Sequence, residues 1–221
     1  MIRIENVSKA YVKDETVVKA LDGVTLKASK GEFIIVKGSS GCGKTTLLLT
    51  TGGLLHPDDG KIIIDDQDLY TLSPQEMAEF RSTKIGFVFQ QYHLIPYLTI
   101  LENVTISSMA HHGKTPGEKA IELICDLGLE DRIKHIPGEL SAGEKQRTAL
   151  ARALLYEPKV ILADEITGNL DDKNSAIVLA KLKEFTNSGG TVMLVTHDEK
   201  AFAYADRIIE LEKGQKEMTH N

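Results

Sequence analysis

The stretch that most restricts how this chain can fold is Gly38-Ser39-Ser40-Gly41-Cys42-Gly43-Lys44-Thr45-Thr46. It follows the unbroken apolar run Phe33-Ile34-Ile35-Val36 and precedes the helical run Leu47–Thr51. A continuous apolar run of this length is the pattern of a strand buried on both faces, as in a parallel sheet covered by helices. Glycines let the backbone curl so that successive N–H groups point inward, and the helix start just beyond adds positive partial charge. Such a loop holds phosphate oxygens. The spacing G-x-x-x-x-G-K-[ST] also lets Lys44 reach the β- and γ-phosphates and lets the Thr45 hydroxyl bind Mg²⁺. Gly38, Ser39, Ser40, Gly41, Cys42, Gly43, Lys44, Thr45 and Thr46 are thus the candidate ATP-binding residues. Cys42, surrounded by that partial charge, is expected to have a lowered thiol pKa and to be alkylated unless ATP covers it.

Similar apolar runs recur at Ile85–Phe89, Val160–Ala163, Val192–Val195 and Ile208–Leu211, with helical patterns between several of them. That alternation predicts a parallel α/β sheet. The opening segments Ile2–Val7, Val17–Ala20 and Val24–Lys27 are short and separated by turn residues, which predicts an antiparallel β layer. Helix-start signals stand at Ser73-Pro-Gln-Glu76, Thr99-Ile-Leu-Glu102 and Thr115-Pro-Gly-Glu118. Residues 91–156 read as a helical subdomain inserted between sheet strands, and 1–90 with 157–221 as the core of one domain. Ile121, Ile124, Cys125 and Gly128 follow helical spacing, so Cys125 is expected in the core. His111 and His112 lack companion ligands and read as a solvated loop. The polar tail after Gly214 is expected to fray.

Composition narrows the function. The 221 residues can bury a sizeable core, and an apolar fraction of 42% excludes wholesale disorder. A net charge of −6 with interspersed signs lacks the basic footprint of a nucleic-acid binder, so no direct nucleic-acid partner is expected. No apolar run is long enough to span a bilayer, and the N-terminus lacks the apolar stretch of a secretory signal. Two cysteines in such a chain suit a reducing cytoplasm.

A second acidic site stands at Val160-Ile-Leu-Ala-Asp164-Glu165, two carboxylates ending a buried strand. Asp164 is placed to hold Mg²⁺, and Glu165 to polarise the water that attacks a γ-phosphate. Ser141 with Glu144 forms a capping box, an ordinary helix start that can also face an anion. In order, "GSSGCGKTT", "FVFQQ", "LSAGEKQR", "VILADE", "GNLD" and "THD" resemble the nucleotide-binding subunits of ABC transporters over essentially the whole chain. "FQQYHLIPYLTILENV" and "ADEITGNLD" are similar to the subfamily of lipoprotein-release, macrolide-export and cell-division ATPases.

The resemblance implies an α/β fold: a P-loop NTPase parallel-sheet core, an N-terminal antiparallel β layer and an inserted helical subdomain. It implies an ATPase that dimerises around two ATP and drives a separate integral-membrane permease subunit, for export or mechanotransmission, from the cytoplasmic face of the membrane. By the same resemblance Tyr11 stacks on adenine, Gln90 contacts Mg²⁺ and relays the state of the site, and His197 senses the γ-phosphate. Ser141, Ala142, Gly143 and Glu144 meet the other subunit's ATP, and Asp171 communicates across the dimer. The permease is expected to dock beside Gln90–Thr99. Regulation of an extracytoplasmic enzyme is an alternative within the subfamily. A soluble ABC ATPase would need a coiled-coil insertion or tandem domains, and a small-molecule kinase would lack residues 140–147 in this form.

Three positions depart from the family pattern. Ala142 replaces glycine, which is cheap only if its φ is negative. Glu144 replaces glutamine and is expected to fold back onto the Ser141 N–H. Ile166 replaces proline and is expected to free the backbone after Glu165.

Overall fold

The computed structural model describes residues 1–13, 16–111, 116–212 and 215–217. Thr115 and His112 lie outside them, as do the side chain of His111 and the last residues of the tail.

The chain opens with two long strands, β1 (Ile2–Lys13) and β2 (Thr16–Ala28), rather than several short ones. The Asp22-Gly23 pair, which reads as a turn, is instead a bulge inside β2. Gly23 has φ 67° and donates its N–H to Ser8 Oγ at 2.9 Å, while Asn6, at φ 52°, donates to Thr25 Oγ1 at 2.9 Å. The irregular pairing absorbs the turn residues and the strand continues. With β4 (Asp59–Ile64) and β5 (Gln67–Asp68) these strands form an antiparallel sheet in the order β2-β1-β4-β5.

The second sheet has six strands. It contains β3 (Phe33–Lys37), β6 (Ile85–Val88), β7 (Val160–Asp164), β8 (Thr191–Val195), β9 (Arg207–Glu212) and β10 (Gln215–Glu217), ordered β10-β9-β3-β8-β7-β6. All neighbours are parallel except β9 and β10. The tail after Gly214 therefore begins as a paired strand, because β9 leaves an edge for it to cover.

Side-chain alternation divides this sheet between two cores. Ile34, Val36, Val160, Leu162, Met193 and Val195 face the antiparallel sheet and α1 (Lys44–Thr51), which lies between the layers. Phe33, Ile35, Ile161, Ala163, Val192 and Leu194 face the opposite way. There they meet residues of α3 (Ile100–Thr105), α4 (Gly117–Asp126), α5 (Ala142–Leu154) and α6 (Asp172–Asn187). The remaining helix, α2 (Pro74–Lys84), begins with the Ser73–Glu76 capping box, and α3 begins with that of Thr99–Glu102. In α4 the buried face is Ala120 and Ile124, so Cys125, one position on, is exposed rather than in the core.

Two features position the site. Register pairs Val36 with Val195, and Val195 with Asp164, so the C-terminal ends of β3, β8 and β7 meet at one edge. Asn103, fully buried, holds the segment that follows β6. Its Oδ1 accepts from the Ile95 N–H at 2.7 Å, and its Nδ2 contacts the carbonyls of Ile95, Leu98 and Thr99 at 2.9–3.1 Å. Asn103→Ala orphans a buried N–H and several carbonyls, so chemical denaturation should show a loss of about 2 kcal/mol or more.

Candidate active site

The phosphate loop leaves β3 and enters α1 through Gly38, Gly41 and Gly43, each with a positive φ. Gly43 has φ 102°, and a Cβ there would collide with the carbonyl oxygen of Ala20. The Lys44 ammonium donates to the carbonyl oxygens of Gly38 and Ser39, each at 2.9 Å, which holds it across the mouth of the loop. A cavity of about 160 Å³ lies here, lined by Ala20, Gly41, Gly43, Lys44, Thr45 and Thr46. Ser39, Ser40 and Gly41 are exposed beside it. Cys42 does not share that exposure. It is 6% exposed and belongs to the core between the sheets, with its sulfur against Gly38. The thiol turns inward, so it is not the alkylation target its loop position suggests.

Across the edge, Thr45 Oγ1 donates to Asp164 Oδ2 at 3.0 Å. The other carboxylate oxygen, Asp164 Oδ1, is buried with no hydrogen-bond partner. Burial raises the Asp164 pKa; the Thr45 hydroxyl opposes this, nearby Glu165 adds to it, and Lys44 opposes it weakly. A buried, unpaired carboxylate oxygen beside a threonine hydroxyl fits a hard divalent cation, so the donor set suits Mg²⁺.

Glu165 occupies the left-handed region, φ 48°, a costly conformation for a residue with a side chain. Its N–H donates to the Val195 carbonyl at 2.8 Å. Thr196 Oγ1 donates to Glu165 Oε2 at 3.2 Å, and His197 Nδ1 lies 2.9 Å from Oε1. Both oxygens are thereby oriented, while the His197 side chain is 74% exposed. Ile166 is 2% exposed and packs in the core, so burial restrains the backbone where proline is absent.

A second cluster forms at the starts of α5 and α6. Ser141 caps α5: its Oγ accepts from the Glu144 N–H, and Glu144 Oε2 accepts from the Ser141 N–H at 2.8 Å. Arg132 Nε also donates to Glu144 Oε1 at 3.0 Å, so Glu144 turns away from the helix mouth. The Ser141 N–H, followed by Arg132, holds its carboxyl below the usual range despite partial burial. Ala142 is helical and is not among the residues with positive φ, so its methyl adds no strain. Asp171 caps α6 and is joined to α5 through Asn174 and Arg147, neither of which sequence reasoning singled out. Nothing in their local spacing marks them.

Among the described residues, no hydrogen bond or ion pair joins this cluster to the phosphate loop. Gln90 follows β6 and is exposed; Tyr11, 43% exposed, lies opposite Val18 on the β1–β2 ribbon whose Ala20 touches the loop.

Fold and site together define a phosphate-loop nucleotide hydrolase. The family model described as ABC transporter matches residues 21–168. The chain is 42% identical over 217 residues to the macrolide export ATP-binding/permease protein MacB of Pasteurella multocida, covering 97% of this chain and 33% of that protein. It thus spans about a third of the length of the macrolide-export relatives it matches. It is 41% identical to the lipoprotein-releasing system ATP-binding protein LolD 2 of Chlorobium chlorochromatii, covering 97% of this chain and 92% of that one. A dimeric, post-hydrolysis structure of the ATP-binding cassette MJ0796 with ADP and Pi superposes with a TM-score of 0.93 at 38% identity, covering 100% and 98% of the two chains. The chain belongs to the ABC transporter family, as an ATP-binding and ATP-hydrolysing cassette.

The raised pKa of the Asp164 carboxyl makes stability depend on pH. Between the ordinary value of 3.8 and the raised folded value, the folded state binds more protons, so stability falls as pH rises through that window. Asp164→Asn removes the buried charge. It should raise the thermal midpoint of the nucleotide-free protein at neutral pH while lowering ATP hydrolysis, assayed with Mg²⁺ present, by about a hundredfold or more.

Proposed function

We propose that this chain is the motor subunit of a membrane complex, in which two copies close around two ATP and drive an integral-membrane permease for export or mechanotransmission. The observation that carries this reading is the separation of the site into two clusters. One holds Lys44, Thr45, Asp164, Glu165 and His197; the other holds Ser141, Gly143 and Asp171. A second copy facing the first would bring them together, and the related cassette MJ0796 has been seen as a dimer with ADP and Pi.

Each residue then has a task. The loop N–H groups and Lys44 bind the β- and γ-phosphates, and Tyr11 stacks on adenine. Thr45 and Asp164 would hold Mg²⁺, and Gln90, shortly after β6, would contribute a further contact to it. The cation supplies charge neutralisation on the phosphate oxygens. Glu165 orients the attacking water and takes up its proton at Oε, while His197 reaches the γ-phosphate with its other nitrogen. The exposed α5 start, through Ser141 and the Gly143 N–H, completes the phosphate cage of the other copy, and Asp171 beside it communicates across the dimer. The whole chain acts as one cassette domain in which residues 91–156 form a helical subdomain.

The permease is read as docking where that subdomain meets β6. A cavity of about 310 Å³ lies there, bordered by Phe87, Phe89, His93, Arg152 and Tyr156. No helix among the described residues is long and apolar enough to cross a membrane. The chain would work at the cytoplasmic face through its partner, and the transported substrate would contact that partner.

Glu165→Gln should slow hydrolysis by about 10²–10⁴-fold. It should also convert the protein to a dimer in saturating Mg-ATP, read by light scattering. A variant that binds Mg-ATP and stays monomeric overturns the two-copy reading. Lys44→Ala should lose both nucleotide binding and dimerisation.

A further inference from the structure

We propose that Asn174 is a positioning residue that fastens the start of α5 to the start of α6, and that Gly143 is glycine to admit the Asn174 amide rather than a phosphate. The inference rests on the two-copy reading above and assigns the internal strut on which the trans-acting face depends.

Both ends of the Asn174 side chain are used. Its Nδ2 donates to Asp171 Oδ2 at 2.7 Å, and its backbone N–H donates to Asp171 Oδ1 at 2.8 Å, so both oxygens of that carboxylate are held. Its Oδ1 accepts from Arg147 Nη1, on the second turn of α5. A guanidinium only donates and a carboxylate only accepts, so the amide has one orientation that satisfies both neighbours. Arg147 is 9% exposed, and its Nε is buried without a hydrogen-bond partner. A guanidinium so enclosed has little freedom to seek another acceptor, and Asn174 becomes the fixed link between the helices.

Gly143 lies against this link. A Cβ built there would stand 2.5 Å from Asn174 Oδ1 and 2.8 Å from Nδ2, distances that real Cβ atoms do not adopt. Its φ is not in the left-handed region, so the α5 backbone itself does not demand glycine. Glycine in a helix is less favourable than alanine, which requires a reason. The direction of the missing side chain supplies one. Gly143 is buried toward α6, whereas Ser141 and Ala142, on the same turn, are exposed. The exposed side of the turn already tolerates a methyl at Ala142; the buried side has no room for one.

Ser141 and Asp171 therefore move together. Removing the Asn174 side chain would leave Asp171 Oδ1 on the Asn174 backbone N–H but free Oδ2 and the link to Arg147, letting α5 shift relative to α6 and misplacing two contacts to the other copy at once.

The test is a double-mutant cycle in the Glu165→Gln background, reading ATP-dependent dimerisation by sedimentation and monomer nucleotide affinity with a fluorescent ATP analogue. Nucleotide affinity should stay within about twofold in every variant. Asn174→Ala should weaken dimerisation about tenfold and Gly143→Ala by more, while the double variant should be no weaker than Asn174→Ala alone. Equal effects of Gly143→Ala with and without Asn174 would overturn the proposal and assign the glycine to the phosphate; a harmless Gly143→Ala would overturn it as well. If the Glu165→Gln parent itself fails to dimerise, the two-copy reading falls. The same cycle of melting temperatures in the monomer then still decides whether Asn174 imposes the glycine. Asn174→Ser replaces Asn174→Ala where the latter does not fold.

Discussion

Everything at the nucleotide site depends on β8 hydrogen-bonding to β3 on one side and to β7 on the other. The phosphate loop and the acidic pair come from strands that are not neighbours, and β8 sets the distance between them. Because Val195 pairs with both Val36 and Asp164, the chain turns out of all three strands at one level. The Thr45–Asp164 hydrogen bond and the contacts of Glu165 with Val195, Thr196 and His197 follow from that register. A slip of one residue would move Asp164 to the other face of the sheet.

The site also keeps its polar groups at a cost that the layers around it offset. Asp164 is ionisable and half enclosed, with one oxygen unpaired; Glu165 sits in a strained backbone conformation. Neither would survive on a mobile loop. They persist because β7 is buried along Val160–Ala163 and Ile166 is anchored in the core just beyond. Preorganisation of this kind lets a nucleotide bind without rearranging the strand.

Most of the fold, and the meeting of the phosphate loop with the acidic strand end, were legible in the sequence. Unbroken apolar runs mark β3, β7 and β8, and a glycine loop between strand and helix has few other uses. Where the reading missed, tertiary contacts had overridden local signals. Asp22-Gly23 serves a bulge because β1 supplies Ser8 as an acceptor. Cys125 is exposed because α4 packs on Ala120 and Ile124, a face one position away from Ile121 and Cys125. Cys42 turns inward because α1 lies between two sheets, leaving the loop a buried side. Asn103, Arg147 and Asn174 carry no local signal, since each acts through groups that only folding brings near.

The sequence by itself determined the chemistry: a phosphate loop, an acidic strand end and capped helix starts, all set by short-range spacing and backbone preference. Tertiary structure decided the partition. It placed the loop with Asp164 and Glu165, and Ser141 with Asp171, in two clusters without a shared hydrogen bond among the described residues. The reason is geometric, for sheet register governs the first cluster and the packing of α5 on α6 through Asn174 governs the second. Neither long-range pairing is encoded in any window of neighbouring residues.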